Sequence, residues 1–339
     1  MTDLPRATDV AIIGGGFAGV ATARALTQRG VRSVVLERED ALGRFASGRS
    51  AGLGRQLAED DATTALTIRG ATLLRGALAA AWQPCGGILS FDLEADAEVY
   101  AARAARFGVA TERLDRRGAI ARWSGLAALP IAAALYVPSD GVIDVGGLLA
   151  ALAREAAVVC GAGVERVEPS PGGVRLTTAR GALDARVVVD ASGAWAGGVT
   201  GDPALASFKR HVYVLEEVAP AGAPYWWHLG AGELYVRPDA GGLLVSPCDA
   251  APTTAADQQP DDHGRRALAA RLAGTAWSAA SIARQWACQR AFTPDRAMRL
   301  GRDPERPWLV WAAGLGGHGA TAAAAVGERV AAACVSALG

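Results

Sequence analysis

The sequence predicts an α/β fold in two parts: a discontinuous, Rossmann-like parallel-sheet core and an inserted α+β region with an antiparallel sheet. Three observations predict it. The β-branched run at 10–13 ends in Gly14-Gly15-Gly16 with Gly19 in the first turn of a helix, a G-x-G-x-x-G at a strand–helix junction. A second short strand, 33–36, ends in Glu37, 18 residues after Gly19. Further glycine-bearing strand ends recur at 185–198 and 309–319, so pieces of one core stand at the start, middle and end of the chain.

The first stretch has a physical reason for each residue. Gly14 makes the tight turn, Gly16 lets backbone approach a pyrophosphate, and Gly19 lets helix and strand pack closely. The helix start offers free N–H groups and a positive dipole end to phosphates. An acid at 37 accepts from both hydroxyls of an adenosine ribose and repels a 2′-phosphate. A dinucleotide site is the expectation.

The elements follow in order. Residues 41–55 are rich in Gly, Ser and Arg with little periodicity, and Ser47 or Ser50 is placed to cap a following helix. Leucines at 66, 73, 74 and 78 predict a helix over 60–81. A strand over 84–91 enters through Gly86-Gly87, and a helix over 92–107 ends at Gly108. A short strand, a Pro-Ser-Asp-Gly turn and an alanine-rich helix at 148–157 come next. Strands at 164–167, 174–178 and 185–190 lead into Ala191-Ser192-Gly193. Alternation predicts antiparallel strands at 208–218 and 233–247, then a polar loop and a helix at 262–273. A strand at 309–313 and a helix at 320–338 close the chain.

Composition narrows the function. Lys and Arg total 34 against 34 Asp and Glu, which leaves no electrostatic footprint for nucleic acid. The five cysteines are scattered without a C-x-x-C pair, which points to reduced thiols and a cytoplasmic enzyme. The N-terminal stretch lacks the basic and apolar regions of a signal peptide. Residues 307–327 carry no formal charge if His318 is neutral, long enough for a bilayer. Their five glycines instead suit a buried strand, a turn and a buried helix, so no transmembrane segment is expected. His211, His228 and His263 have no partners at metal-ligand spacing, and no metal is expected.

Four stretches, GGGFAG with Glu37, FASGRSAG, VVVDASGAWAG and WAAGLGGHGATAAAAVGE, resemble the flavin-dependent amino-acid oxidase superfamily of D-amino-acid oxidase, glycine oxidase and sarcosine oxidase. YVPSDGVIDVGGLLAAL, LYVRPDAGGLLVSP and WACQRAFTPD add a nearest likeness to bacterial FAD-dependent D-arginine dehydrogenases. The resemblance implies FAD, a FAD-binding domain from 1–80, 138–205 and 289–339, and a substrate domain from 81–137 and 206–288. It places Ala18 and Gly19 at the pyrophosphate and Glu37 and Arg38 at the adenosine. Ala46, Ser47, Gly48, Arg49, Ser50, Ala51, Gly52 and Leu53 wrap the pyrophosphate and flavin. The Val164 backbone reads adenine, and Ala191, Ser192 and Gly193 let backbone approach the cofactor. Gly316, Gly317, His318, Gly319, Ala320 and Thr321 face the flavin's pyrimidine edge. A glycine turn opening a helix there aims N–H donors at the charge of a reduced ring. No cysteine or histidine stands at a position read for flavin attachment, so a dissociable cofactor is expected.

On the substrate side the resemblance implies that Arg290 and Tyr235 hold a carboxylate, the guanidinium by its fork. Arg210, with His211 one register away, matches a second arginine. His318 is a candidate base or a substrate contact. Trp226 and Trp227 read as core or entrance wall. Leu53, Ala58 and Gly86 stand where the D-arginine enzymes carry a histidine, a tyrosine and an acid. The side-chain pocket therefore reads as apolar or small, suited to an uncharged or aromatic side chain, with D-arginine and D-lysine expected to be poorer substrates than neutral ones. The expected reaction is FAD-dependent oxidation of the C–N bond of a small amino acid, in its D form, or of a related amine, with oxygen or a quinone as electron acceptor. Oxidation of a 2-hydroxy acid on the same clamp, or a flavoprotein that binds or transfers electrons without turnover, remain open alternatives.

Overall fold

A computed structural model describes residues 3–201 and 205–339; the first two residues of the N-terminal stretch lie outside them. β1 (Ala7–Ile13) runs into the glycine turn and α1 (Phe17–Thr27), and β2 (Ser33–Leu36) ends at Glu37. A largely irregular stretch with a short β3 (Leu53–Gly54) leads to α2 (Asp61–Arg75). Asp60, not Ser47 or Ser50, caps α2, accepting from the Thr63 N–H. The helix expected over 60–81 stops at Arg75 because Gly76 breaks it, and only a short 3₁₀ turn follows at Ala79–Ala81. The strand expected over 84–91 is two strands, β4 (Trp82–Pro84) and β5 (Gly87–Phe91), parted at Gly86 with φ +73°. α3 (Glu94–Arg106), β6 (Glu112–Leu114), α4 (Arg116–Arg122), β7 (Ala133–Val137) and β8 (Gly141–Ile143) follow.

The alanine-rich α5 (Val145–Ala153) starts earlier than its composition suggests because Asp144 caps it. After β9 (Val158–Val159) come β10 (Val164–Ser170), β11 (Gly173–Thr178) and β12 (Gly181–Asp190). β13 (Ala206–Leu215) and β14 (Tyr225–Leu229) follow. The alternating run at 233–247 is a hairpin, β15 (Leu234–Asp239) and β16 (Gly242–Ser246), turning at Gly241 with φ +86°. β17 (Ala251–Pro252), α6 (Asp262–Leu272), β18 (Ile282–Phe292), β19 (Arg299–Arg302), β20 (Leu309–Ala313) and α7 (Gly319–Leu338) complete the chain.

An eight-stranded sheet runs β10-β11-β12-β1-β2-β9, with β20 beside β12 and β19 beyond it. β9, β2, β1, β12 and β20 pair in parallel, so their carboxyl ends share one edge, where ligands bind in open α/β sheets. β12 is long because its first half pairs with β11 and its last residues with β20. A nine-stranded sheet runs β17-β13-β16-β15-β14-β5-β7-β6, with β18 along β13. It is antiparallel except where β14 lies parallel to β5. The small sheet β3-β8-β4 carries Leu53 opposite Val142.

The alanines of α7 have a packing role. A Cβ at Gly327 would stand 2.4 Å from the Ala21 backbone of α1, and one at Gly70 of α2 would stand 1.9 Å from the Thr321 carbonyl oxygen. Only small residues permit helix crossings this close. Among the described residues α7 alone is long and apolar enough to cross a membrane by length and composition, yet over half of its most apolar stretch is buried in the fold.

Candidate functional site

A cavity of about 420 Å³ opens at the carboxyl ends of the parallel strands. Its floor is backbone. Gly14 has φ +102°, and a Cβ there would stand 2.6 Å from the Ala191 carbonyl oxygen. A Cβ at Gly16 would meet the Ser47 hydroxyl at 2.9 Å, and that hydroxyl accepts from the Phe17 N–H at 2.9 Å. Ser47 thus satisfies an orphan donor of α1 from 30 residues away. Glu37 lines the wall with its carboxylate already accepting from the Gly15 and Glu39 N–H groups at 2.7 and 2.8 Å. Asp190, fully buried, accepts from Ser192, Gly197 and Thr200 and so fixes the loop after β12. Arg38 lies over the Trp195 ring at 4.5 Å, with Phe45 beside both.

At the other end of the cavity β18 brings Arg290 against the turn that opens α7. A Cβ at Gly317 would stand 3.4 Å from the Arg290 guanidinium carbon. The turn needs glycine: Gly316 has φ +54°, with the Phe292 ring where a Cβ would go. A second, smaller cavity of about 20 Å³ adjoins here and shares Ser50, Ala51, Arg290, Gly317 and Ala320 with the first. Leu53, Arg55, Trp227, Tyr235, His318 and Thr321 line it as well. The Tyr235 hydroxyl is buried without a hydrogen-bond partner, and burial pushes its pKa up to about 12, so it keeps its proton and donates. Arg290 has neither a hydrogen bond nor an ion pair to any described side chain.

Most of the expected cofactor residues meet at the large cavity: Gly14, Gly16, Ala18, Glu37, Arg38, Ala46, Ser47, Ser50, Ala51, Val164, Ala191, Ser192, Gly193, Gly316, Gly317, Gly319 and Ala320. Gly52, Leu53, His318 and Thr321 line the small one. Four expected residues stand behind the walls. Gly19 packs on the turn, a Cβ there falling 2.0 Å from the Gly14 carbonyl oxygen. Gly48 packs on Gly43 in the same way. The Arg49 side chain turns to the Gln258 and Ala287 carbonyls. Arg210 is buried beside Tyr235 and Cys288, off both cavity walls, with Nε and Nη1 unpaired.

The His318 Nε2 lies 2.8 Å from a Glu59 oxygen. Arg55 Nη2 stands 3.3 Å from the same nitrogen. Asp92 stands 2.9 Å from His228 Nε2 and accepts from the Ala231 N–H. Among the wall residues that the sequence does not single out are Trp195, Cys288 and Arg55. Trp195 follows a motif that was read for its glycines. Cys288 lies in the large cavity, where burial pushes its thiol pKa up and away from thiolate. Arg55 sits in an aperiodic stretch with no local signal of burial.

The profile of the DAO family, described as FAD dependent oxidoreductase, matches residues 9–333. Among solved structures the chain is similar to the glycine oxidase of Geobacillus kaustophilus at 26% identity and a TM-score of 0.85, covering 98% of this chain and 95% of that one. It is also similar in fold to the L-proline dehydrogenase of P. horikoshii (23% identity, TM-score 0.87, covering 97% and 93%). A further fold likeness is to NikD, an unusual amino acid oxidase essential for nikkomycin biosynthesis (24%, 0.81, covering 98% and 94%).

Proposed function

The chain belongs to the DAO family of FAD-dependent oxidoreductases, and on that premise we propose that it oxidises the C–N bond of a small amino acid or related amine. One observation carries this reading. Arg290, which lines both cavities beside the turn that opens α7, and Tyr235, which lines the smaller one, have side-chain donors without hydrogen-bond partners among the described residues. A guanidinium fork and a phenol donor suit a carboxylate. The cradle at Gly14 and Gly16, which a Cβ would fill, suits the pyrophosphate of FAD.

When bound, FAD supplies the acceptor for the hydride leaving Cα. The chain's own part is positional. Arg290 and Tyr235 fix the carboxylate, and with it the direction of Cα, and the buried wall around Trp227 excludes water. The turn at Gly316 and Gly317 presents the start of α7, whose dipole favours negative charge on the ring. The D enantiomer is the proposed form, and oxygen or a quinone the proposed electron acceptor. Five free thiols support a reducing, cytoplasmic setting. The raised thiol of Cys288 supports a dissociable FAD: acid precipitation should release the yellow colour, and colour left in the pellet would overturn this by showing a covalent bond.

Anaerobic mixing of the holoenzyme with D- and L-amino acids, N-methyl amino acids and 2-hydroxy acids tests the reading. Bleaching of the flavin by an amino acid or amine is expected. Bleaching by hydroxy acids alone, or by nothing in the panel, would overturn it.

A further inference from the structure

The small cavity holds a charge that the carboxylate clamp does not use. Arg55 is 2% exposed and lines the cavity beside Tyr235 and Arg290. Its Nη2 donates to Glu59 at 2.6 Å, and its guanidinium lies over the Trp227 ring, 4.0 Å from the centroid. Nε and Nη1 are buried with no hydrogen-bond partner, Nη2 also stands 3.3 Å from His318 Nε2, and the Tyr100 and Tyr225 phenols and the buried Asp140 carboxylate lie within electrostatic reach. Burial is the largest influence and would lower the pKa of this guanidinium, but the Glu59 charge and hydrogen bond together with the Tyr100 and Tyr225 phenols offset it, so the cation is held. A guanidinium carries five donors in a rigid fork, and one carboxylate on its outer side leaves the others unmet. Buried donors without partners are rare and costly, and here they belong to a side chain that lines a cavity.

The cavity wall carries two guanidinium groups and, among the described residues, no carboxylate. Glu59 lies outside the wall, its side chain 57% exposed. A neutral side chain would leave Arg55 unmet, and a cationic one would be repelled. A second anion meets both needs. Resting on the amino-acid reading above, we propose that Arg55 binds a second acidic group, so that the preferred substrate is a short dicarboxylic amino acid. Its α-carboxylate sits on Arg290 and Tyr235 and its side-chain carboxylate on Arg55. The cavity's 20 Å³ takes the end of a short chain and excludes a long one. This replaces the uncharged or aromatic side chain suggested by Leu53 and Ala58: those two positions are apolar, but the arginine between them turns inward.

Two measurements on the holoenzyme decide it. In the first, oxidised enzyme is titrated with succinate and with butyrate while flavin absorbance is followed. Succinate should bind at least about tenfold tighter, as a site built for a polar group rejects its isostere. Arg55→Gln should erase the difference, and Glu59→Gln, which frees the guanidinium, should enlarge it. In the second, anaerobic reduction by the enantiomers of aspartate is compared with that by the enantiomers of 2-aminobutyrate. Aspartate should lead by about tenfold or more in kcat/KM, and Arg55→Gln should lower the ratio. Equal reduction by the two substrates overturns the acidic subsite while leaving the amino-acid reading intact. Reduction by neither overturns the dicarboxylic substrate and leaves the amino-acid reading to the wider panel, and the succinate titration still decides Arg55. A succinate preference that survives Arg55→Gln, or a Glu59→Gln that weakens it, assigns Arg55 a structural role only. If Arg55→Gln loses FAD, the wild-type preference and Glu59→Gln carry the decision.

Discussion

At the Gly14 end the cavity wall is backbone, pressed so close that a Cβ would fall 2.6 Å from the Ala191 oxygen. At the Arg290 end the wall is side chains, with Arg290, Tyr235, Arg55 and Trp227 projecting from three different stretches of chain. The two ends recognise by different means. A backbone wall admits one shape, and any added atom blocks it. A side-chain wall can lose a group and keep its shape, because neighbours on rigid strands hold the rest. Damage to the first should therefore remove the cofactor, and damage to the second should spare the cofactor and impair catalysis.

The sharpest break in that comparison is Arg290→Ala. Removing one partner of a buried charge pair costs about 2–5 kcal/mol, roughly thirty- to several-thousand-fold in kcat/KM. FAD content should stay near that of the wild type by absorbance ratio. Loss of FAD along with activity would mean that the arginine belongs to the cradle. Next comes Gly14→Val, which forces both a clash and a left-handed φ. Overpacking of this kind costs about 3 kcal/mol, on the order of a hundredfold in FAD affinity measured by fluorescence titration of apoprotein. Normal affinity in that variant would show that the backbone wall yields.

Tyr235→Phe should act more mildly. One hydrogen bond to a charged group is worth about 1.5 kcal/mol, or roughly tenfold in KM with kcat less affected. Steady-state kinetics across the panel would read this, and an unchanged KM would remove the phenol from the clamp. The smallest effect belongs to Ser47→Ala, where α1 loses the acceptor for its Phe17 N–H. Loss of a cap costs about 1 kcal/mol, a few degrees or less in the melting temperature of holoprotein. A larger loss in the apoprotein than in the holoprotein would show that FAD itself satisfies the helix end.

The backbone end was the more legible of the two. Glycine spacing at 14, 16 and 19, the strand before it and the acid at 37 all lie within one local unit, and the structure realises that unit with the expected strand and helix. Even there, one detail depended on a distant contact. Gly19 packs helix on strand as its spacing predicts, but Ser47 meets the start of α1 rather than the helix that follows it. The side-chain end was read only in part. Arg290 and Tyr235 stand in recognisable contexts and converge. Arg210 stands in an equally good context, yet lies behind the wall on β13, opposite Cys288 of β18.

The sequence by itself determined the α/β class and the glycine turns. Each of these rests on short-range geometry: a left-handed φ, a close approach, a strand feeding a helix. Only the tertiary structure decided which charges face the cavity. Arg55 becomes a buried wall residue because Trp227, from a strand far along the chain, slides under it, while Glu59 holds it from the outer side. Burial and pairing of a long, flexible side chain are set by what folds over it, and no spacing within its own stretch records that.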